Sequence, residues 1–545
     1  MTQNPMDPNR QTKRRLLLAV VTLAGTTLFG GLFGPTLFAI SDASNPALRE
    51  YADLLMTTKA WYADDLASDK LVYSSVHGML GSLDPHTNFL EPEEYGAMQE
   101  KQRGSFFGLG IIISKRNGKV TVITPVEGSP AERLGIRAGD IIDRIEGEAI
   151  DDLAVDAVVK KLKGPKGTKV RITIVRPGLG EPLEMTVTRA EIPTNSVAFA
   201  FFLDEETAYV RLKDFTQTTV PEMLETWTKL EKQGMKRLVL DLRGNPGGLL
   251  DQAIGLSDFF LRKGEKVVFT RGRNASSEQV FNAPGRNTKP RIPVVVLINK
   301  GSASAAEIVA GALQDHDRGL IVGQTSWGKG LVQSVYTLTD GAGLALTTAK
   351  YYTPAGRCIQ RDYKEVLEYL IPGEEELDSD ESEAAPDRRT LFRTDSGRNV
   401  YGGGGIAPDV SVKVDPLSRF AAGLFARGVF FEFAVDYRTR NMAIPRGFQV
   451  SDEVRSDFFK FVDSRPTLFE KPAKEMYAAE KDSGIVDRAI REELMNAVYG
   501  RETGYRVLLE GDPQLKAALG LFPEAAKLAG IPEADAAGDH KLAKK

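Results

Sequence analysis

"RLVLDLRG", residues 237–244, narrows the fold more than any other stretch of this chain. Its apolar residues run on without the polar alternation of a half-exposed strand, so the segment reads as a strand covered on both faces. "TAYVRL" (207–212) and "PVVVLINKG" (293–301) share that character. Amphipathic helical segments, Met223–Leu230 and Leu249–Phe260, stand between them. The alternation predicts an α/β core with buried strands.

A chain of 545 residues is too long for one ordinary core, so further domains are expected around this one. Residues 45–101 have helical periodicity, broken by a turn at Asp84-Pro85 in "SLDPHTNFLEPEEY". From 104 to 190 the pattern changes to short strands, among them "FFGLGIIIS", "KVTVITPV" and "KVRITIV", with helical "SPAERLG" and "LAVDAVVKKL" between them. Residues 374–387, "EEELDSDESEAAPD", are an acidic low-complexity insert read as a solvated loop. Beyond Pro408 the chain reads as mostly helical, ending in an Ala/Lys tail.

The amino terminus carries an address. Arg10, Lys13, Arg14 and Arg15 precede 25 uncharged residues, Leu16–Ile40, long enough to span a bilayer. Basic residues ahead of such a run hold the terminus in the cytoplasm and send the rest outside. Whether the run stays as an anchor or is cleaved after Ala39 is open. Composition excludes several classes. A net charge of −4 gives no sign of nucleic-acid binding. One cysteine excludes an internal disulfide framework, and four histidines without HExxH or paired spacing argue against a zinc site. No metal and no cofactor is expected.

Candidate chemistry gathers in three places. "GSASAAEIVA" (301–310) contains S-x-x-E, so Ser304 and Glu307 form a capping box at a helix start, or Ser304 is a nucleophile, or both. A nucleophilic serine needs a base. "TSWGKGLVQS" offers Lys329, which is either solvated like most lysines or held neutral so that it accepts a proton. Gln333, four residues on, shares a face with Lys329 in an extended strand and brings an amide oxygen to the amine. "DLRGNPGG" (241–248) ends a buried strand in Asn245 and two glycines. Gly247-Gly248 is an ordinary turn, or it brings backbone N–H groups to a substrate carbonyl, with Ala305 N–H as second donor at the positive end of the helix.

Together "LVLDLRGNPGG", "NKGSASAAEIVAGALQD", "GQTSWGKGLVQ" and "YYTPAGRCIQ" resemble, in that order, the carboxyl-terminal processing proteases, tail-specific Ser-Lys peptidases of bacteria and plastids. The resemblance runs from about residue 45 to about 415. It implies Ser304 as nucleophile, Lys329 as general base, 25 residues on, and Gln333 as the residue that orients the lysine. Ser302 falls where the family has a structural serine. "GSFFGLGIIIS" with "GSPAERLGIRAGDIIDRIEGEAI" resembles a PDZ domain, whose Phe107-Gly108-Leu109-Gly110-Ile111 loop would hold a peptide's terminal carboxylate.

The expectation is therefore a multidomain α/β protein. It has an anchor or signal (1–40), a helical N-terminal region (41–103) and an inserted PDZ domain (104–189). A Ser-Lys protease core of crotonase/ClpP-like ββα elements (190–415) precedes a mostly helical C-terminal extension (416–545), on which the resemblance confers no role. The implied activity is an exported serine endopeptidase of the cell envelope, tethered to the membrane or secreted. It would bind protein substrates by their C-terminal tails, assemble as a homo-oligomer and have room for an activating adaptor. The rival readings are a non-catalytic PDZ scaffold and a crotonase-like acyl-thioester enzyme.

Overall fold

The computed structural model describes residues 46–363, 390–441, 443–465, 469, 471–479 and 483–532. The apolar run 16–40 and the acidic insert 374–387 lie outside these residues. Among the described residues no helix is long and apolar enough to cross a membrane. The chain divides into two compact units, Met1–Phe89 and Leu90–Lys545.

In the smaller unit a helix over residues 46–61 is followed by a second, Ser68–Gly81. The turn anticipated at Asp84-Pro85 is an Asx turn, with Asp84 Oδ1 accepting the N–H groups of His86 and Thr87, both at 2.8 Å.

The larger unit opens with the helix Pro92–Arg103. A PDZ-like module follows, with antiparallel strands β1 (Ile111–Arg116), β2 (Lys119–Pro125), β3 (Ile141–Ile145), β4 (Lys169–Val175) and β5 (Leu183–Thr188), paired in the order β1-β2-β3-β4-β5. In β4, Val170, Ile172 and Ile174 alternate inward, the period expected of a sheet with one buried face. They pack with Val120, Val122, Ile142 and Val187, and with Val158 and Leu162, one turn apart on helix α1 (Val155–Leu162). A two-stranded ribbon, Ser105–Gly108 against Ala190–Pro193, closes the base of the module, so it enters and leaves the chain at one point.

The central sheet contains β6 (Val197–Phe202), β7 (Thr207–Leu212), β8 (Arg237–Asp241), β9 (Val294–Ile298) and β10 (Leu320–Gly323), with Val410–Ser411 on its edge. β6 and β7 are antiparallel; β7 to β10 are parallel, and Val410–Ser411 continues that direction. The anticipated helices lie between the strands: α2 (Thr219–Lys232), α3 (Leu250–Ser257) and α4 (Ala305–Asp315). Every residue of β8 and β9 is buried, as the unbroken apolar runs require. At about 1.5–3 kcal/mol per buried aliphatic side chain, the five residues of β9 contribute on the order of 10 kcal/mol of gross burial. A charge at Val296, which is 0% exposed, would break the layer.

One face of the sheet is covered by α2, α3 and α4 through Met223, Trp227, Ala253, Leu256, Val309 and Leu313. The other is covered by helices far along the chain: α5 (Arg501–Leu509), α6 (Pro513–Gly520) and α7 (Phe522–Leu528). Leu509, Leu515, Ala518, Phe522 and Ala525 pack there on Val239, Val295, Leu297 and Val322. The mostly helical C-terminal extension is thus partly a layer of the core. Its earlier helices, Arg419–Arg427 to Ser483–Tyr499, have their own core around Phe430, Phe433, Phe458 and Leu494. They also touch the PDZ-like module: Arg116 Nη1 donates to the Arg427 carbonyl (3.0 Å) and Asn117 Nδ2 to Glu432 Oε1 (3.1 Å).

Candidate active site

Parallel strands leave their carboxyl ends on one edge, where the connecting loops make clefts. The loops after β8, β9 and β10 hold Asn245 to Gly248, Ser302 to Ser304, and Ser326 to Lys329.

The loop after β9 is tied down by polar side chains. Asn299 Oδ1 accepts the N–H groups of Gly301 (3.0 Å) and Gly244 (2.9 Å). Ser302 is fully buried, accepts from Asn299 N–H (3.0 Å) and donates to the Leu242 carbonyl (2.8 Å), which accounts for its structural place in the motif. Ser304 follows, partly exposed, with φ 55° and ψ −115°. An N-cap residue is ordinarily extended, and a non-glycine residue in this region carries about 1–3 kcal/mol of strain. Capping alone does not require it; a sharp turn that presents the hydroxyl does. The carboxylate half of the capping box is formed, with Glu307 Oε2 accepting from Ser304 N–H at 2.8 Å.

Glu307 does more than cap. It is 0% exposed, and the same oxygen accepts the Lys329 N–H (2.9 Å), while Oε1 accepts the Gly328 N–H (2.7 Å) and the Ser326 hydroxyl. One carboxylate thus joins the serine turn to the lysine turn. Burial pushes its carboxyl up to about 7, in spite of the four donors that favour the charged form. The Tyr351 hydroxyl makes a second bridge, within hydrogen-bond distance of the carbonyl oxygens of Ser304 (3.2 Å) and Lys329. The S-x-x-E spacing pointed to Glu307 only as a cap, and Tyr351 was a motif letter without a role.

Lys329 Nζ donates to Gln333 Oε1 at 2.8 Å. Lys329 precedes β11 (Leu331–Thr337), and the register of β11 against β12 (Gly343–Tyr352) shifts between Val332 and Gln333. The extra residue, Thr348, belongs to β12, so the count along the Lys329–Gln333 stretch is unbroken and the two side chains, four residues apart, share a face as alternation predicts. His316 lies at the far end of α4, held by Asp395 (2.7 Å) and the Lys266 carbonyl (2.7 Å). Eleven helical residues, about 16 Å, separate it from Ser304.

The double glycine is demanded by close approach. Gly247 has φ 91°, and a Cβ there would stand 2.7 Å from Ser304 Cβ and 2.8 Å from Ala305 N. Gly248 has φ 149°, and a Cβ would meet the Phe215 carbonyl oxygen at 2.0 Å. The loop is thus pressed against the serine turn. The three expected oxyanion donors are not equivalent, however. Gly247 N–H already donates to Asn245 Oδ1 at 2.8 Å, and Asn245 is itself buried, with Nδ2 on the Leu212 carbonyl at 2.9 Å. The Gly247 N–H is thus already engaged within its own loop. Among the described residues, Gly248 and Ala305 N–H have no acceptor.

In the PDZ-like module, the Phe107-to-Ile111 turn joins the ribbon strand to β1. Gly110 has φ 79°, and a Cβ would collide with Ser129 Cβ at 2.2 Å. The carbonyl groups of Leu109 and Gly110 accept from Ala131 N–H (3.0 Å) and Val126 N–H (2.8 Å), fixing the loop from behind.

The model of Peptidase family S41 matches residues 206–366, and that of the PDZ domain matches residues 121–176. The carboxy-terminal-processing protease of Bartonella bacilliformis is 40% identical over 317 residues, covering 57% of this chain and 72% of that protein. The carboxy-terminal processing protease CtpA of Bacillus subtilis (strain 168) is 33% identical over 351 residues, covering 64% and 74%. Among solved structures, the photosystem II D1 C-terminal processing protease is 30% identical, with a TM-score of 0.35 and 66% of this chain and 86% of that one covered. With its strained serine, its buried strands and its PDZ module, this chain belongs to peptidase family S41, as a serine peptidase among the carboxy-terminal processing proteases.

Proposed function

We propose that the protein is an exported endopeptidase that cleaves through an acyl-enzyme on Ser304, with Lys329 as general base. The observation that carries this reading is the Glu307 carboxylate, which holds the N–H groups of Ser304 and Lys329 on one oxygen. Neutral Lys329 Nζ, oriented by Gln333, takes the hydroxyl proton as Ser304 Oγ attacks the scissile carbonyl. The oxyanion of the tetrahedral intermediate receives hydrogen bonds from Gly248 and Ala305 N–H, the latter at the positive end of α4. The Lys329 ammonium returns its proton to the leaving amine. Water then attacks the ester, again with Lys329 as base, and frees Ser304.

The PDZ module supplies the tail recognition, with the N–H groups of the Phe107, Gly108, Leu109, Gly110 and Ile111 turn holding a terminal carboxylate and β1 pairing with the peptide. The apolar run 16–40 exports the chain, and either holds it at the membrane or is cleaved after Ala39 to release it. Casein digestion tests the dyad. Wild-type protein is expected to degrade it, while Ser304→Ala and Lys329→Arg do not, because a guanidinium does not deprotonate in the accessible pH range. An active Ser304→Ala or Lys329→Arg protein would refute the mechanism.

A further inference from the structure

The helices α5 and α6 bring polar side chains through the second face of the sheet to the loop that carries Gly248. Asp241, fully buried at the end of β8, is chelated by Arg243, with Nε on Oδ1 (3.0 Å) and Nη2 on Oδ2 (2.6 Å). Burial alone would raise its carboxyl, but the Arg243 guanidinium outweighs this and holds it below the usual range. The remaining guanidinium nitrogen, Arg243 Nη1, points away from the core strands to the extension. It lies 2.6 Å from Asp512 Oδ2 and 3.0 Å from Gln514 Oε1. The Arg243 carbonyl accepts from Arg211 Nη2 (3.2 Å), and Arg211 Nη1 donates to the Tyr505 hydroxyl (2.7 Å). The extension thereby reaches both the side chain and the backbone of Arg243, five residues before Gly248.

We propose that Asp512 and Gln514 are positioning residues for the oxyanion loop, so that α5 and α6 belong to the catalytic unit although they lie beyond the matched stretch 206–366. The physical reason is the demand on a donor pair: N–H groups stabilise a transition state only when fixed in advance, and a slip of about 1 Å loses up to a hundredfold in rate. Gly247 and Gly248 have no side chains with which to anchor themselves. The loop is held by Asn299 at Gly244, by Asn245 within itself, and by Arg243 at its root. Arg243 is itself fixed on one side by Asp241 and on the other by the extension. The inference rests on Gly248 as an oxyanion donor, as proposed above.

The test separates charge from helix capping. Asp512 Oδ1 also caps α6, accepting from Gln514 N–H (2.9 Å) and Leu515 N–H (3.1 Å). Asparagine caps as well as aspartate, so Asp512→Asn keeps the helix and loses the charge facing Arg243. In the full-length protein, with an unstructured peptide substrate, this variant is expected to lose about tenfold in kcat with KM nearly unchanged, as befits an interaction felt only in the transition state. Gln514→Glu added to Asp512→Asn returns a carboxylate to the same Arg243 nitrogen, with loss of the Gln514 Nε2 bond to the Val412 carbonyl (3.3 Å), and is expected to restore part of the lost kcat. Wild-type kcat in Asp512→Asn, a fall that merely follows loss of folded protein, or a double variant no better than the single one would each overturn the proposal. An active Ser304→Ala would instead refute the underlying mechanism, so the two failures are distinguishable.

Discussion

Replacing Glu307 tests whether one buried carboxylate organises both halves of the site. Alanine would strand the N–H groups of Ser304, Gly328 and Lys329 and the Ser326 hydroxyl in a position with no solvent access. An unsatisfied buried donor costs about 1–3 kcal/mol, and water entering the vacated space relieves part of the sum, which leaves about 3–5 kcal/mol for Glu307→Ala. Against a typical stability of about 5–15 kcal/mol that is a large fraction, so the alanine protein should unfold well below the wild type. Glu307→Gln is the finer probe. Its amide oxygen can serve one pair of donors, while its NH2 faces the other pair, for an expected loss of about 2 kcal/mol or roughly 4–8 °C in Tm. Thermal unfolding and kcat on a short peptide, measured on the same preparations, report fold and chemistry separately.

The same variant carries a pH signature. Because the folded-state carboxyl is raised from 4.5 to about 7, the folded protein binds this proton more tightly than the unfolded chain does. Stability from this group is full below 4.5 and is lost as pH rises through about 7, a swing of about 3 kcal/mol. Glu307→Gln should flatten that part of the stability profile. The reasoning fails if Glu307→Ala melts within about 2 °C of wild type with unchanged kcat, a shift worth less than about 1 kcal/mol.

Ser304→Gly should be inactive yet melt at or above Ser304→Ala, because glycine accepts φ 55° without the strain that alanine keeps; a lower Tm for the glycine protein would contradict the strained-turn account. Gln333→Glu places a charge 2.8 Å from Lys329 Nζ in place of a neutral oxygen, which favours the ammonium. The alkaline rise of kcat/KM should move to higher pH, and a profile superimposable on wild type would show that Gln333 does not face the working base.

Local order is what the sequence already contained. The unbroken apolar runs of β8 and β9 demanded burial on both faces, and the amphipathic segments between strands demanded helices. Motif and spacing alone single out Ser304, Lys329 and Gln333 as candidates, and the fold sets the Lys329 amine on Gln333 Oε1. The rest depended on partners distant in the chain. Glu307 reads as a cap within its own helix, and its second set of donors lies about twenty residues on, at Gly328 and Lys329, where no periodicity relates them. Asn245 carried no role in the sequence; folding turns it inward, where Nδ2 donates to the Leu212 carbonyl and Oδ1 accepts the Gly247 N–H. The largest tertiary decision concerns the extension. Helices α5 to α7 are amphipathic segments like many others, and nothing local says which surface they bury. The second face of a parallel sheet must be covered, and α6 meets that need while placing Asp512 against Arg243, 269 residues earlier in the chain. Such contacts are selected by what the rest of the fold leaves exposed, which is a property of the packed molecule and not of any window of sequence.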